Sequence, residues 1–154
     1  AQVATDEIED GACSLTKEGQ QKTEKIAKRL LDLGLHFELI ATSPLVRARQ
    51  TAEILKGVGL SSQIEECKYL APDGDIFNWL KNWLEPKKYS PNTQIALVGH
   101  EPCLSSWAEI LIWGEARARL ILKKAGMIGI TLPETSSPLG HSQMFWLTPP
   151  KYLL

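Results

Sequence analysis

"TQIALVGHEPCLSSW", residues 93–107, joins an uninterrupted apolar run to a polar turn and then to a second apolar stretch. The run over 93–99 shows no polar alternation, the pattern of a parallel strand covered on both faces. Gly99 permits a tight turn, and Pro102 suits the first turn of a helix predicted over 102–113. His100 and Glu101 therefore fall between a strand end and a helix start. In open α/β sheets ligands gather at that junction, where helix N-termini favour anions.

A second junction of the same type lies upstream, in "ATSPLVRARQTAEIL", residues 41–55. A short apolar strand over 37–41 leads to Ser43 and Pro44, which read as an N-cap and first helical residue for a helix over 44–57. Arg47 then stands one turn into that helix. If the two strands are parallel in one sheet, Arg47 and His100 emerge on one edge. Arg suits phosphate because its planar fork donates two parallel hydrogen bonds. A cationic His adds a contact to a phosphoryl oxygen, and Glu101 with a raised pKa could protonate a leaving group. Each has a plainer reading. Arg47 could sit on a solvated helix face, His100 could be a capping or surface residue, and Glu101 could complement the helix dipole.

The rest of the chain alternates in the same way. "LTKEGQQKTEKIAKRLLDLG" reads as a helix capped by Thr16 and ended by Gly34, with Ile26, Ala27, Leu30 and Leu33 on its apolar face. A short strand is predicted near 63–66, and a helix over 73–84 with Phe77, Leu80 and Leu84 on one side. Segments 126–132 and 143–149 read as an antiparallel strand pair. The opening "AQVATDEIEDGACS" is polar and aperiodic and reads as a loop, which makes a helix the first regular element. The expected fold is α/β: a three-layer sandwich with a mostly parallel sheet, helices on both faces and a terminal antiparallel pair. At 154 residues a single domain over 1–154 is expected.

Composition narrows the function classes. With 17 basic and 18 acidic residues the net charge is −1, which gives no basic excess for nucleic acid or a membrane surface. No apolar run approaches the roughly 20 residues of a membrane span, and no signal peptide is evident. A cytoplasmic protein is expected. Cys13, Cys67 and Cys103 form no CxxC and no zinc spacing, so no metal and no cofactor is expected. Position 103, in a helix first turn, could lower a thiol pKa. The residues six places after the three cysteines are Gly19, Asp73 and Glu109, so the Arg of a cysteine-based phosphatase loop is missing. His36 and His141 read as surface residues. Trp79, Trp83, Trp107, Trp113 and Trp146 read as core or groove packing.

"TSPLVRARQTAEIL" and "LVGHEPCLSSW" resemble two signature segments of the histidine phosphatase superfamily, also called phosphoglycerate mutase-like. "SLTKEGQQKTEKIAKRL" is similar to its first long helix. "LAPDGD" and the ending "KKAGMIGITLP…FWLTPP" are similar to its short phosphohistidine phosphatase branch, the SixA type. The resemblance covers nearly the whole chain in order. It implies a phosphoenzyme mechanism in which a histidine takes the phosphoryl group and water releases it. Arg47 would match a phosphate-binding Arg, and His100 the second histidine that contacts the phosphate. The implied partner is a phosphorylated protein bearing phosphohistidine or, alternatively, a small phosphate ester.

One departure is large. The family's nucleophile lies in an Arg-His-Gly triplet ending the first strand, and none of His36, His100 or His141 follows an Arg. The first strand is expected to be missing, the domain to be N-terminally incomplete, and the triplet to lie ahead of Ala1. The other possibility is a phosphate-binding module that has lost its nucleophile. Cys13-Ser14 also stands where many relatives carry Arg-Pro.

Overall fold

The computed structural model describes residues 2–6 and 14–154. Six strands make one sheet in the order β3-β2-β4-β1-β5-β6. They are β1 (Gln2–Asp6), β2 (Leu39–Thr42), β3 (Ile64–Glu66), β4 (Ile95–Gly99), β5 (Met127–Thr131) and β6 (Gln143–Thr148). The first four are mutually parallel, and β5 runs antiparallel to both β1 and β6. The helices are α1 (Lys17–Asp32), α2 (Val46–Gly57), α3 (Ile76–Asn78), α4 (Glu85–Lys87) and α5 (Cys103–Trp113). A π turn, Trp79–Leu84, joins α3 to α4.

The strand over 2–6 corrects the expectation that the chain opens in a loop with the first strand missing. β1 pairs with β4 from Gln2↔Ile95 to Asp6↔Gly99 and with β5 from Gln2↔Ile130 to Thr5↔Met127. Five residues are too few to show a period. What makes them a strand is the demand of two neighbours, each presenting a row of backbone donors and acceptors that must be paired. That demand is tertiary and invisible in a local pattern.

Burial on both faces explains why the central strands carry no alternation. All of β2 and β4 is buried. Successive side chains point to opposite faces. Leu39, Ala41, Ile95, Leu97, Ile128 and Ile130 join Trp79, Leu80, Leu104, Trp107 and Leu111 in one core. Ile40, Ala96, Val98 and Met127 join Ile26, Ala27 and Leu30 of α1 and Ala48, Ala52 and Leu55 of α2 in the other. The expected three layers are therefore present. In the first core Trp79 stacks on Trp83 at 5.8 Å and meets Trp107 at 5.3 Å.

Local signals hold at α1. Thr16 Oγ1 accepts the Gly19 N–H at 2.9 Å, and Gly34 follows the helix at φ +88°. Two readings change. Phe77 is 54% exposed, whereas Ile76, Trp79, Leu80 and Trp83 are buried. The π turn widens the helix and rotates the apolar stripe away from a 3.6-residue period. Ser43 is not the N-cap of α2; that position belongs to Leu45.

At the other end of the sheet, β5 and β6 slip register between Gly129 and Ile130, and Phe145 lies over Gly129. A Cβ on Gly129 would stand 2.5 Å from the ring's Cζ. Phe145 is 55% exposed and the close atoms are the far end of its ring, which can swing aside, so Gly129→Ala is expected to cost no more than about 1 kcal/mol. The Gly129→Ala, Phe145→Ala double variant should lose less than the sum of the singles, because removing the ring removes the clash. Urea denaturation of the four proteins measures the cycle, and strict additivity would show that the ring does not press on Gly129.

Candidate active site

β2 and β4 are parallel neighbours with Thr42 opposite Val98, so the residues that follow each strand leave the same edge of the sheet. Ser43 follows β2, and Arg47 lies in the first turn of α2. His100 and Glu101 follow β4. The junction residues 43 and 100 touch: His100 Nε2 is 2.8 Å from Ser43 Oγ, and both residues are buried. Their backbones are pinned as well. The Ser43 N–H donates to the Val98 carbonyl at 2.9 Å, and the His100 carbonyl accepts the Leu104 N–H at 2.9 Å. Arg47 is half-buried. Arg47, a cation partly withdrawn from water, and the imidazole of His100 thus follow neighbouring strands at the same sheet edge.

Glu101 turns toward its own helix. Its Oε1 accepts the Ser105 N–H at 2.8 Å and its Oε2 the Ser105 hydroxyl at 2.5 Å, so it satisfies one of the first-turn amides of α5. The Glu101–Pro102 peptide is cis. Burial pushes the Glu101 carboxyl above its ordinary value, against the lowering effect of the Ser105 bonds. A raised folded pKa favours the fold below the unfolded value, and that contribution is lost as pH rises through the folded one. The stability of the wild type relative to Glu101→Gln should therefore fall from acid to neutral pH in paired denaturant titrations. A difference that rises with pH would mean that the carboxylate is stabilised, not penalised.

Cys103 behaves unlike a reactive thiol. Its Sγ donates to the Pro72 carbonyl at 3.0 Å. Burial raises its pKa, and the nearby charges of Glu101 and Asp73 raise it further, which reverses the lowering a helix first turn suggests. Cys13 lies outside the described residues. His36 and His141 are exposed, as the sequence implied. Trp79, Trp83 and Trp107 are buried, while Trp113 is 55% exposed. Among the described residues no group of three or more His, Cys, Asp or Glu could hold a metal ion, and no helix is long and apolar enough to cross a membrane.

A cleft of about 530 Å³ borders Thr42, Val46, Arg49 and Gln50 beside α2. Neither Arg47 nor His100 lines it, so it adjoins the two junctions without including them.

Residues 8–70 match the model of the histidine phosphatase superfamily (branch 1). An uncharacterized protein of Picosynechococcus sp. (strain ATCC 27264 / PCC 7002 / PR-6) is 44% identical over 151 residues, which is 97% of this chain and 90% of that protein. The chain belongs to the histidine phosphatase superfamily. Solved structures agree in fold. The protein histidine phosphatase SixA complexed with tungstate superposes with a TM-score of 0.81 at 21% identity, covering 99% of each chain. The putative phosphohistidine phosphatase SixA from Agrobacterium tumefaciens gives 0.71 at 15%, covering 96% of each. The putative alpha-ribazole-5'-P phosphatase from Escherichia coli strain K-12 gives 0.71 at 16%, covering 97% of this chain and 96% of that one.

Sequence reasoning missed two features of this superfamily member. One is the Ser43–His100 bond, whose only local signal is the Ser-Pro pair before α2. The other is Glu109. Its carboxylate is 1% exposed and accepts the N–H groups of Arg117, Ala118, Arg119 and Leu120 at 2.5–2.9 Å. No local pattern ties a mid-helix Glu to a loop beyond the helix end.

Proposed function

We propose that this chain carries the phosphate-binding frame of a phosphatase that removes a phosphoryl group from phosphohistidine on a protein, through a phosphohistidine enzyme intermediate, with turnover requiring an Arg-His-Gly triplet that the 154 residues do not contain. Arg47 and His100 bind the phosphoryl oxygens, and Glu101 is the candidate proton donor to the leaving imidazole. The observation that carries the reading is the junction pair. Two parallel neighbours place Arg47 and His100 on one sheet edge, with His100 fixed to Ser43 at 2.8 Å. The superfamily chemistry then needs a histidine nucleophile, which takes the phosphoryl group and yields it to water. None of the three histidines follows an Arg, so His100 is assigned to binding and not to attack.

The substrate class rests on the SixA-like fold and on the short chain, whose 154 residues leave no room for long lid insertions. An open site suits a phosphate carried by a protein. The likeness to a putative alpha-ribazole-5'-P phosphatase keeps small phosphate esters as the second reading.

The test uses two proteins, the 154-residue chain and its Glu7→Arg, Ile8→His, Glu9→Gly variant, which puts the Arg-His-Gly triplet directly after β1. Both should bind inorganic phosphate. Only the second should release phosphate from a phosphohistidine protein, faster than from phosphoserine peptides or small esters, and its label should be acid-labile. Turnover by the 154-residue chain alone would overturn the assignment of the nucleophile. Binding without turnover in both would make the protein a phosphate-recognising module.

A further inference from the structure

We propose that the cleft beside α2 receives a lysine or arginine side chain of the phosphorylated protein, with its aliphatic stem on Val46, Ile54 and Ile64 and its cationic head at Glu53. The proposal rests on the phosphohistidine-protein reading above and adds to it a residue that selects among such proteins.

α2 presents two faces. Ala48, Ala52 and Leu55 are buried against the sheet. Val46, Arg49, Gln50, Glu53 and Ile54 recur at the spacing of a second helical face, and all of them line the cleft. Ile64 and Glu66 of β3 line it as well. Val46, Ile54 and Ile64 are half-buried, so the cleft has an apolar strip that water still reaches. Its volume of about 530 Å³ has room for one long side chain and part of the backbone that carries it.

The charges of the cleft favour a cation. Arg49 reaches across to Glu66, with Nη1 3.6 Å from Oε1. Glu53 stands one turn after Arg49, where a pair along the helix is open to it, but the guanidinium is drawn to β3 instead. Among the described residues Glu53 has no salt bridge. The lining charges are thus one neutralised pair and one carboxylate left over. Lysine and arginine bury an aliphatic stem along apolar surface and keep the charged head in water. An exposed carboxylate at the end of a half-buried apolar strip fits that division.

The cleft is also within reach of the junctions. Thr42 ends β2 and lines the cleft, and Ser43, bonded to His100, follows it. Val46 lines the cleft, and Arg47 is its neighbour in the chain. From Arg47 to Glu53 the helix rises about 9 Å, at roughly 1.5 Å per residue. An extended peptide covers about 3.3 Å per residue. A cation about three residues from a phosphohistidine held at Arg47 therefore comes level with Glu53. A small phosphate ester has nothing to place there.

The test titrates the 154-residue chain with peptides that carry a non-hydrolysable phosphonate analogue of phosphohistidine. One peptide has lysine at that distance on either side of the analogue, and the other has norleucine, which keeps the stem and removes the ammonium. The lysine peptide should bind about two- to five-fold more tightly at low salt, the scale of an exposed ion pair. The preference should shrink as salt rises. Glu53→Gln, at an exposed position, should erase the preference and bind inorganic phosphate no more weakly than the wild type. Equal affinity of the wild type for the two peptides overturns the proposal. So does a preference that survives in Glu53→Gln, because the head is then held elsewhere. The proposed function fails in a different way. If the chain binds neither inorganic phosphate nor the analogue, while the amide NMR shifts of Glu53 and Ile54 still move with the lysine peptide and not with the norleucine one, the cation site stands and the phosphohistidine reading falls.

Discussion

Arg47→Ala is expected to weaken binding of inorganic phosphate by about 1.5–3 kcal/mol in a calorimetric titration, roughly 10- to 150-fold, the scale of a charge-assisted hydrogen bond lost from a partly dry site. Arg47→Lys should lose nearly as much. Lysine keeps the charge but replaces two parallel donors by a flexible ammonium that does not match two phosphoryl oxygens. The position of Arg47 sharpens the expectation. The first turn of α2 is rooted in Ser43, which is bound to both Val98 and His100, so the guanidinium leaves a fixed frame. Near-wild-type affinity in Arg47→Lys would show that only net charge matters there. Near-wild-type affinity in Arg47→Ala would return Arg47 to the solvated face of its helix.

Glu109→Ala is expected to lower the unfolding free energy by about 3 kcal/mol, the largest stability effect foreseen for one side chain. The carboxylate satisfies four consecutive backbone N–H groups, and removing it strands those donors, each worth about 1–3 kcal/mol if left buried. The stretch 117–119 is exposed, so water recovers part of the loss and the total stays below the sum. Glu109→Gln should cost almost as much, since an amide nitrogen would face N–H groups that need an acceptor. The pH dependence has a definite sign. Burial pushes this carboxyl up, but the four N–H bonds outweigh it and hold the pKa below its ordinary value. The contribution is present above the unfolded-state value and disappears as pH falls through the lower folded one. Glu101 does the reverse. Denaturant titrations of wild type and Glu109→Ala should thus converge toward acid pH, and curves that stay parallel would show that the loop is held by something else.

Much of the scaffold was legible because its signals are local. The 93–99 run announced a doubly covered strand, Thr16 and Gly34 bracketed α1, and the last two apolar segments paired antiparallel. The expected parallel pairing of β2 and β4 is present and puts residues 47 and 100 after neighbouring strands at one edge. What escaped was set by distant partners. β1 is a strand because β4 and β5 flank it, and its own five residues say little. Ser43 reads as a helix cap in one dimension and becomes a histidine's partner only when residues 57 apart in sequence meet. Phe77 fits a helical stripe until the π turn shifts the stripe by part of a turn. Glu109 looks like an ordinary mid-helix charge until the loop folds back over it.

The tryptophans make the molecule optically lopsided. The three buried ones stand in a single layer, with Trp79 between Trp83 and Trp107. The opposite layer, under α1 and α2, has only the partly buried Trp146 at its margin. Intrinsic fluorescence will therefore report the opening of one side of the sheet and be nearly blind to the other, whereas far-ultraviolet circular dichroism averages over both. If the layers separate from the sheet at different denaturant concentrations, the two signals will part company, and their coincidence or divergence measures how tightly the sheet couples its two faces.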